Sequence, residues 1–241
     1  MDREIHVCLI DLALFPNDLV DRSRRLLAPE ETERANRIVH LETQRSFVIV
    51  RASLRALLGR MMGVAPNTIR FELGEKGKPR LAGFKPDEGL VFNVSHSGGR
   101  GLIALAYDTA LGVDVEKWRV MKDYAGIAER CFSAGELACW RASPPECQQS
   151  VFFALWSLKE AFVKATGEGI SLGLASCVVD LARRPRLVSI PPRWGEADAW
   201  RLNVIDAGEG FSAGICHFGV ERPLKPIVST ELVNTLLNIP I

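Results

Sequence analysis

The sequence predicts a mixed α+β chain made of two halves with the same outline. Apolar residues recur at helical spacing in several long stretches, and short β-rich runs lie between turns bearing Gly or Pro. Each half, near residues 1–109 and 110–222, offers helices followed by about three strands. No clear residue-level repeat links the halves, so duplication is suggested by the order of elements alone. The 241 residues, 47% hydrophobic and 24% charged, suffice for one large domain or two small ones around a sizeable core.

HVCLIDLAL (6–14) reads as a first strand. Residues 35–63, with Arg34 just before them, carry long helical runs with Arg37, Arg45, Arg51, Arg55 and Arg60 strung along them, stopped by Gly63 as C-cap. TIRFEL (68–73) reads as a strand, and residues 74–83 have the Gly and Pro chemistry of a turn. LVFNVSHS (90–97), GLIALAY (101–107) and LGVDVEKW (111–118) read as strands, the last two divided by a turn at Asp108-Thr109. Residues 125–142 read as two helices, the second opened by Ser133 as N-cap with Glu136 three residues on. SPPECQQ breaks the pattern, and residues 150–167 form a longer helix stopped by Gly167. ISLGLASCVVDL, AWRLNVIDAG and FSAGICHFG read as strands. The segment 223–241 is punctuated by Pro and holds one amphipathic run, STELVNTLL, to which no role is assigned.

A net charge of +1 gives no general attraction to nucleic acid or to an anionic membrane. No apolar run approaches the roughly 20 residues that span a bilayer, and MDREIHVCLIDL lacks the long apolar stretch of a secretory signal. The six cysteines form no C-x-x-C pair, so they read as buried free thiols of a cytoplasmic, reducing location.

Three constellations carry chemistry. In WSLKEAFVKATG (156–167), Leu158, Ala161, Phe162 and Ala165 share one helix face, with Glu160 and Lys164 on the opposite side. Trp156 and Val163 flank Glu160, so the helix is expected to be packed on both sides, with its charges inside a seam. In LGVDVEKW, strand alternation turns Asp114 and Glu116 to one face and Val113 and Val115 to the other. Two carboxylates roughly 7 Å apart repel each other, and a hard cation such as Mg²⁺ would relieve them. Gly112 lets another backbone or a ligand come close. In FNVSHSGGRG (92–101), Ser95, His96 and Ser97 precede a Gly-Gly turn whose hydroxyls, imidazole and backbone N–H groups can hold phosphate oxygens. Ser95 and His96 face opposite ways in an extended segment, which excludes a Ser–His nucleophile pair.

Together and in this order, these pieces resemble the Sfp-type 4′-phosphopantetheinyl transferases. The family's hydrophobic-Gly-hydrophobic-Asp-hydrophobic-Glu strand is found as Gly112 followed by Val-Asp-Val-Glu, and its W-S-x-K-E-A/S-x-x-K helix as Trp156 to Lys164. Its F-N-x-S-H-S turn lies at residues 92–97, its G-K-P turn at Gly77-Lys78-Pro79, and its F-S-x-x-E segment at Phe132 to Glu136. The likeness covers about residues 30–175.

The resemblance implies an α+β fold of two similar subdomains, 1–109 and 110–222, related by a pseudo-two-fold axis, with coenzyme A in the cleft between them. It implies transfer of the 4′-phosphopantetheine arm of coenzyme A to a serine of an apo-acyl or peptidyl carrier protein, with release of 3′,5′-ADP. Mg²⁺, or Mn²⁺ in its place, would be held by Asp114, Glu116 and Glu160. Lys164 would sit on the pyrophosphate, and Glu160, or a water it orients, would take the serine proton; Glu116 could serve instead. Ser95, His96 and Lys78 would bind phosphates of coenzyme A, with Arg34 and Arg45 the nearest candidates for its 3′-phosphate. Lys159 would at most touch the edge of the ligand, and Glu136 would support the site. A monomer is expected, because one chain supplies both halves of the cleft. Two other readings use the same residues: a catalytically silent protein of this fold that binds coenzyme A or a carrier, and a metal-dependent phosphohydrolase.

Overall fold

The computed structural model describes residues 4–85, 88–169, 173–181 and 184–237. The first half runs β1 (Ile5–Asp11), α1 (Asn17–Ser23), α2 (Pro29–Arg37), α3 (Leu41–Met62), β2 (Phe71–Leu73), β3 (Pro79–Leu81), β4 (Leu90–Ser97) and β5 (Arg100–Tyr107). The second runs β6 (Leu111–Lys117), α4 (Tyr124–Cys131), α5 (Ala134–Ala142), α6 (Pro145–Thr166), β7 (Val178–Asp180), β8 (Arg186–Ser189), β9 (Trp200–Ile205) and β10 (Phe211–Phe218). After them come β11 (Leu224–Ile227) and α7 (Ser229–Leu237). No helix among the described residues is long and apolar enough to cross a membrane.

Two sheets organise these elements. One has the order β11-β1-β5-β4 and the other β6-β10-β9. Side-chain alternation gives each sheet two apolar faces. Ile5, Val7, Leu102, Ala104 and Ala106 of the first sheet meet Leu111, Val113, Val115, Ala213 and Ile215 of the second, which makes a core between the sheets. On the outer face of the first sheet, Cys8, Ile10, Ile103 and Leu105 pack with α3 residues such as Ile49 and Leu58. On the outer face of the second, Trp200, Leu202 and Cys216 pack with Leu155, Leu158 and Phe162 of α6. The order across the molecule is helix, sheet, sheet, helix. Burying one such Leu, Ile or Phe contributes about 1.5–3 kcal/mol.

The local chemistry explains where elements begin and end. Gly98 and Gly99, both at positive φ, make the two-residue turn that joins β4 to β5 in register Ser97↔Arg100. Glycine in the left-handed region ends both long helices, Gly63 after α3 and Gly167 after α6. The helical run expected over 35–63 is broken at residues 38–40, where Gln44 Nε2 donates to the carbonyls of Ala35 and Ile38. Helix α6 starts at Pro145, earlier than the Pro-rich segment suggested, because a proline in the first turn has no needed N–H to lose. The strand expected over 170–181 is a short turn, Leu174–Ser176, followed by β7; residues 170–172 lie outside the described residues. Three of the cysteines, Cys8, Cys177 and Cys216, are buried as expected, whereas Cys139 and Cys147 are exposed.

The segment after residue 222 joins the first sheet. Strand β11 pairs parallel with β1, and α7 buries Leu232 and Leu236 in the core under α3. Ser229 Oγ donates to the Leu9 carbonyl at 2.6 Å and accepts from the Asp11 N–H at 3.2 Å.

Candidate active site

The site forms where α6 crosses β6 beside the edge strand β4. Helix α6 lies so close to β6 that a Cβ built on Gly112 would stand 2.0 Å from the Ala161 carbonyl oxygen and 2.3 Å from the Ala165 nitrogen. Gly214 on β10 makes similar room for Leu158. Val163 is buried and Trp156 half-buried, so α6 is packed on both sides. Val113 and Val115 enter the core between the sheets, which turns Asp114 and Glu116 to the helix side.

There Lys164 Nζ lies 2.6 Å from Asp114 Oδ1 and donates to Ser95 Oγ at 3.0 Å. Ser95 Oγ in turn donates to Asp114 Oδ1 at 2.9 Å. Two residues on, Ser97 Oγ donates to Glu116 Oε2 at 3.1 Å, and Arg119 Nη1 pairs with the same oxygen at 2.9 Å. Burial, then the charge of Asp114, raises the pKa of Glu160; Lys164 opposes the shift and Glu116 adds to it. Ser95, Asp114, Glu116, Glu160 and Lys164 thus form one electrostatic unit drawn from three elements.

No three His, Cys, Asp or Glu side chains among the described residues form a ready metal-holding group. The donor chemistry nevertheless fits a hard cation. Asp114 Oδ2 is buried without a hydrogen-bond partner, and burial, then the charges of Asp114 and Glu116, push the Glu160 carboxyl up. A divalent ion that prefers carboxylate oxygen would answer both.

His96 points to the other face of β4. With Arg34, Arg51, Phe47, Gly77 and Pro79 it lines a pocket of 290 Å³ between β4, α3 and the turn before β3. Arg34 lies 5.2 Å over the Phe47 ring, and Arg51 lies 5.2 Å over that of Phe71. Burial, then Lys164, Arg34 and Arg51, lower the pKa of His96, although part of its side chain stays exposed. Glu31 stands near this basic wall as a counter-ion: it pairs with Arg51 at 3.4 Å and Arg55 at 2.7 Å, and it accepts from the Ala28 N–H at the start of α2.

Some expected residues lie elsewhere. Arg45, expected at a phosphate, donates to Asn17 Oδ1 and the Phe15 carbonyl, so it ties α3 to the start of α1. Lys78 Nζ is held by the carbonyls of Leu111 at 3.0 Å and Ala165 at 3.1 Å. Lys159 is wholly buried and does not reach the site surface. Its Nζ lies 2.7 Å from Glu136 Oε2 and 2.6 Å from the Cys177 carbonyl, and Glu136 also accepts from the Val179 and Ser133 N–H groups. Sequence reasoning missed Arg51 as a wall of the pocket. Its signal was the pairing of Arg51 and Arg55 one turn apart beside Arg34.

Comparison with known proteins gives matches along most of the chain. The family model described as the 4′-phosphopantetheinyl transferase superfamily matches residues 110–216, and that of the N-terminal part of such transferases matches residues 18–108. The chain is 38% identical over 199 residues to the 4′-phosphopantetheinyl transferase HetI of Nostoc sp., covering 83% of this chain and 81% of that one. It is 32% identical over 196 residues to a 4′-phosphopantetheinyl transferase of Bacillus subtilis, covering 81% and 84%. It is 34% identical over 161 residues to the transferase Sfp of Bacillus subtilis strain 168, covering 67% and 69%.

Proposed function

The chain belongs to the 4′-phosphopantetheinyl transferase superfamily, and from that premise we propose how its own residues move a phosphopantetheine arm onto a carrier protein. The donor is coenzyme A and the acceptor a serine of an apo-acyl or peptidyl carrier. The serine oxygen forms a bond to the phosphorus that carries the pantetheine arm. The bond from that phosphorus to the bridging oxygen breaks, and 3′,5′-ADP leaves with the electron pair. Such a transfer needs positioning and charge neutralisation more than covalent help from the protein.

The observation that carries this reading is the contact of Lys164 with Asp114 and Ser95, beside a buried carboxylate oxygen that has no partner. Lys164 donates to the pyrophosphate and stabilises the 5′-phosphate of the leaving 3′,5′-ADP. Ser95 shares its hydroxyl between Asp114 and the bound phosphate. Glu160 takes the proton of the attacking serine, directly or through a water. Glu116 is the alternative base. Asp114, Glu116 and Glu160 would hold Mg²⁺, or Mn²⁺ in its place, and the ion when bound supplies Lewis-acid neutralisation of the pyrophosphate charge.

Arg34, Arg51 and His96 hold the 3′-phosphate in the pocket on the far side of β4. Arg51 takes the place first given to Arg45, and Lys78 is left out because its ammonium is already engaged. We take the chain to divide into 1–109 and 110–222, with the ligand at the junction of β4 with β6. We further propose a cytoplasmic monomer.

An intact-mass assay with coenzyme A, Mg²⁺ and a panel of apo-carriers tests the reading. A carrier that gains one phosphopantetheine, and none in EDTA, is the expected result. If no carrier gains mass while coenzyme A still binds by calorimetry, the silent binding protein becomes the better description.

A further inference from the structure

We propose that Lys78 is a positioning residue: it clamps the last turn of α6 to the start of β6 and so fixes Lys164 against Asp114. The inference rests on the role given to Lys164 above. Three observations carry it. Lys78 Nζ donates to the Ala165 carbonyl at 3.1 Å, in the last turn of α6, and to the Leu111 carbonyl at 3.0 Å, at the first residue of β6. Its methylene stem also lies against the end of the helix, with Cδ 3.5 Å from where a Cβ on Gly167 would stand.

The last turn of a helix is where a clamp matters. Its final carbonyls have no intrahelical donor, and its end frays. Here the Val163 carbonyl accepts from Thr166 Oγ1 at 2.8 Å, and the Lys164 carbonyl accepts from the Gly167 N–H at 3.3 Å. The Ala165 carbonyl takes the ammonium, and a positive charge suits the negative end of the helix dipole. Lys164 belongs to this same turn, and Asp114 lies three residues into the strand whose first carbonyl the ammonium also holds. One cation therefore sets the spacing of the two groups whose contact defines the site. Lys78 reaches both from the turn between β2 and β3, so the first half of the chain fixes a distance inside the second.

A residue that bound phosphate would behave differently from a clamp, and Lys78→Met separates the two. Methionine keeps the stem over Gly167 and removes both N–H···O bonds. The full chain is followed by hydrogen exchange of peptides covering residues 163–167, by calorimetry of coenzyme A at two salt concentrations, and by kcat and KM with an apo-carrier. We expect exchange in the last turn of α6 to rise about tenfold or more, the order of loss set by charge-assisted hydrogen bonds. We expect kcat to fall with it. The salt dependence of the Kd for coenzyme A stays that of the wild type, because Lys78 itself contributes no cation to the phosphates. Lys78→Gln, too short to span both carbonyls, gives the same pattern should the methionine variant fold poorly. A weakened Kd with a shallower salt dependence overturns the proposal in favour of a phosphate ligand, and unchanged exchange overturns the clamp itself. If the wild type transfers nothing to any carrier, the functional reading fails while the exchange experiment still decides on the clamp.

Discussion

Replacing Lys159 with methionine should cost stability and leave the ligand alone. The ammonium and the Glu136 carboxylate have side-chain exposures of 0% and 2%. Glu136 receives two contacts from Lys159, at 2.7 and 2.8 Å, and two from backbone N–H groups, at 2.6 and 2.7 Å. Methionine fills the volume but leaves a buried carboxylate with the two backbone donors alone. Removing one partner of such a pair costs about 3–5 kcal/mol, a large share of the roughly 5–15 kcal/mol that holds a domain of this kind folded. Adding Glu136→Gln removes the stranded charge, so the double variant should lose at least about 1.5 kcal/mol less than the sum of the single ones. Urea unfolding followed by tryptophan fluorescence measures all three variants, with calorimetry of coenzyme A beside it. A loss below about 1 kcal/mol, or an additive cycle, would refute the reasoning, since both members of a buried pair should need each other. Intact stability with lost affinity for coenzyme A would instead put Lys159 at the ligand.

Asp114→Asn should lower turnover by about 10²–10³, the order seen when one group that stabilises transition-state charge is removed, and steady-state kinetics with an unfolding curve checks that the fold survives. Gly112→Ala places a methyl carbon 2.0 Å from the Ala161 carbonyl; the overpacking should cost about 1–3 kcal/mol or more and displace α6, read as a lowered unfolding midpoint together with lower kcat. Glu160 has a folded pKa above its ordinary 4.5, so the folded chain holds more protons in that window and stability falls as pH rises through it. Glu160→Gln should therefore stabilise the chelated protein at pH 7, with a gain that fades below about pH 4.5. His217 is fully buried and its folded pKa is lowered by desolvation from 6.5. Its contribution is complete above pH 6.5 and is lost as pH falls through the lowered value, so His217→Gln should flatten the acid slope of stability.

Periodicity made β6 and α6 legible. Alternation alone separated Asp114 and Glu116 from Val113 and Val115, and helical spacing placed Glu160 and Lys164 together. The order of five motifs then identified the family. What periodicity could not supply was the partner of each charge. Lys159, read as at most touching the edge of the ligand, lies about 100° around the helix from Glu160 and instead reaches Glu136 and the Cys177 carbonyl just before β7. Arg45 and Arg51 belong to one helix and differ only in what stands opposite, an N-terminal loop for one and a pocket wall for the other. The Lys78 bonds join carbonyls 33 and 87 residues away, and backbone acceptors leave no trace in residue types. The role of the segment after residue 222 was hidden for a related reason: a four-residue strand carries too little pattern to announce the sheet it joins.

That late strand has a consequence for how the molecule is made. The first sheet is completed by Leu224–Ile227, so a nascent chain that has emerged only through β5 holds β1 with one side unpaired. The groove that Leu232 and Leu236 will fill is then still open to water. Until β11 and α7 arrive, the early half is a template for mispairing with other chains. Folding of this half is therefore tied to the synthesis of residues 224–237, and a chain interrupted before them would carry an unfinished, adhesive sheet rather than an independent first half.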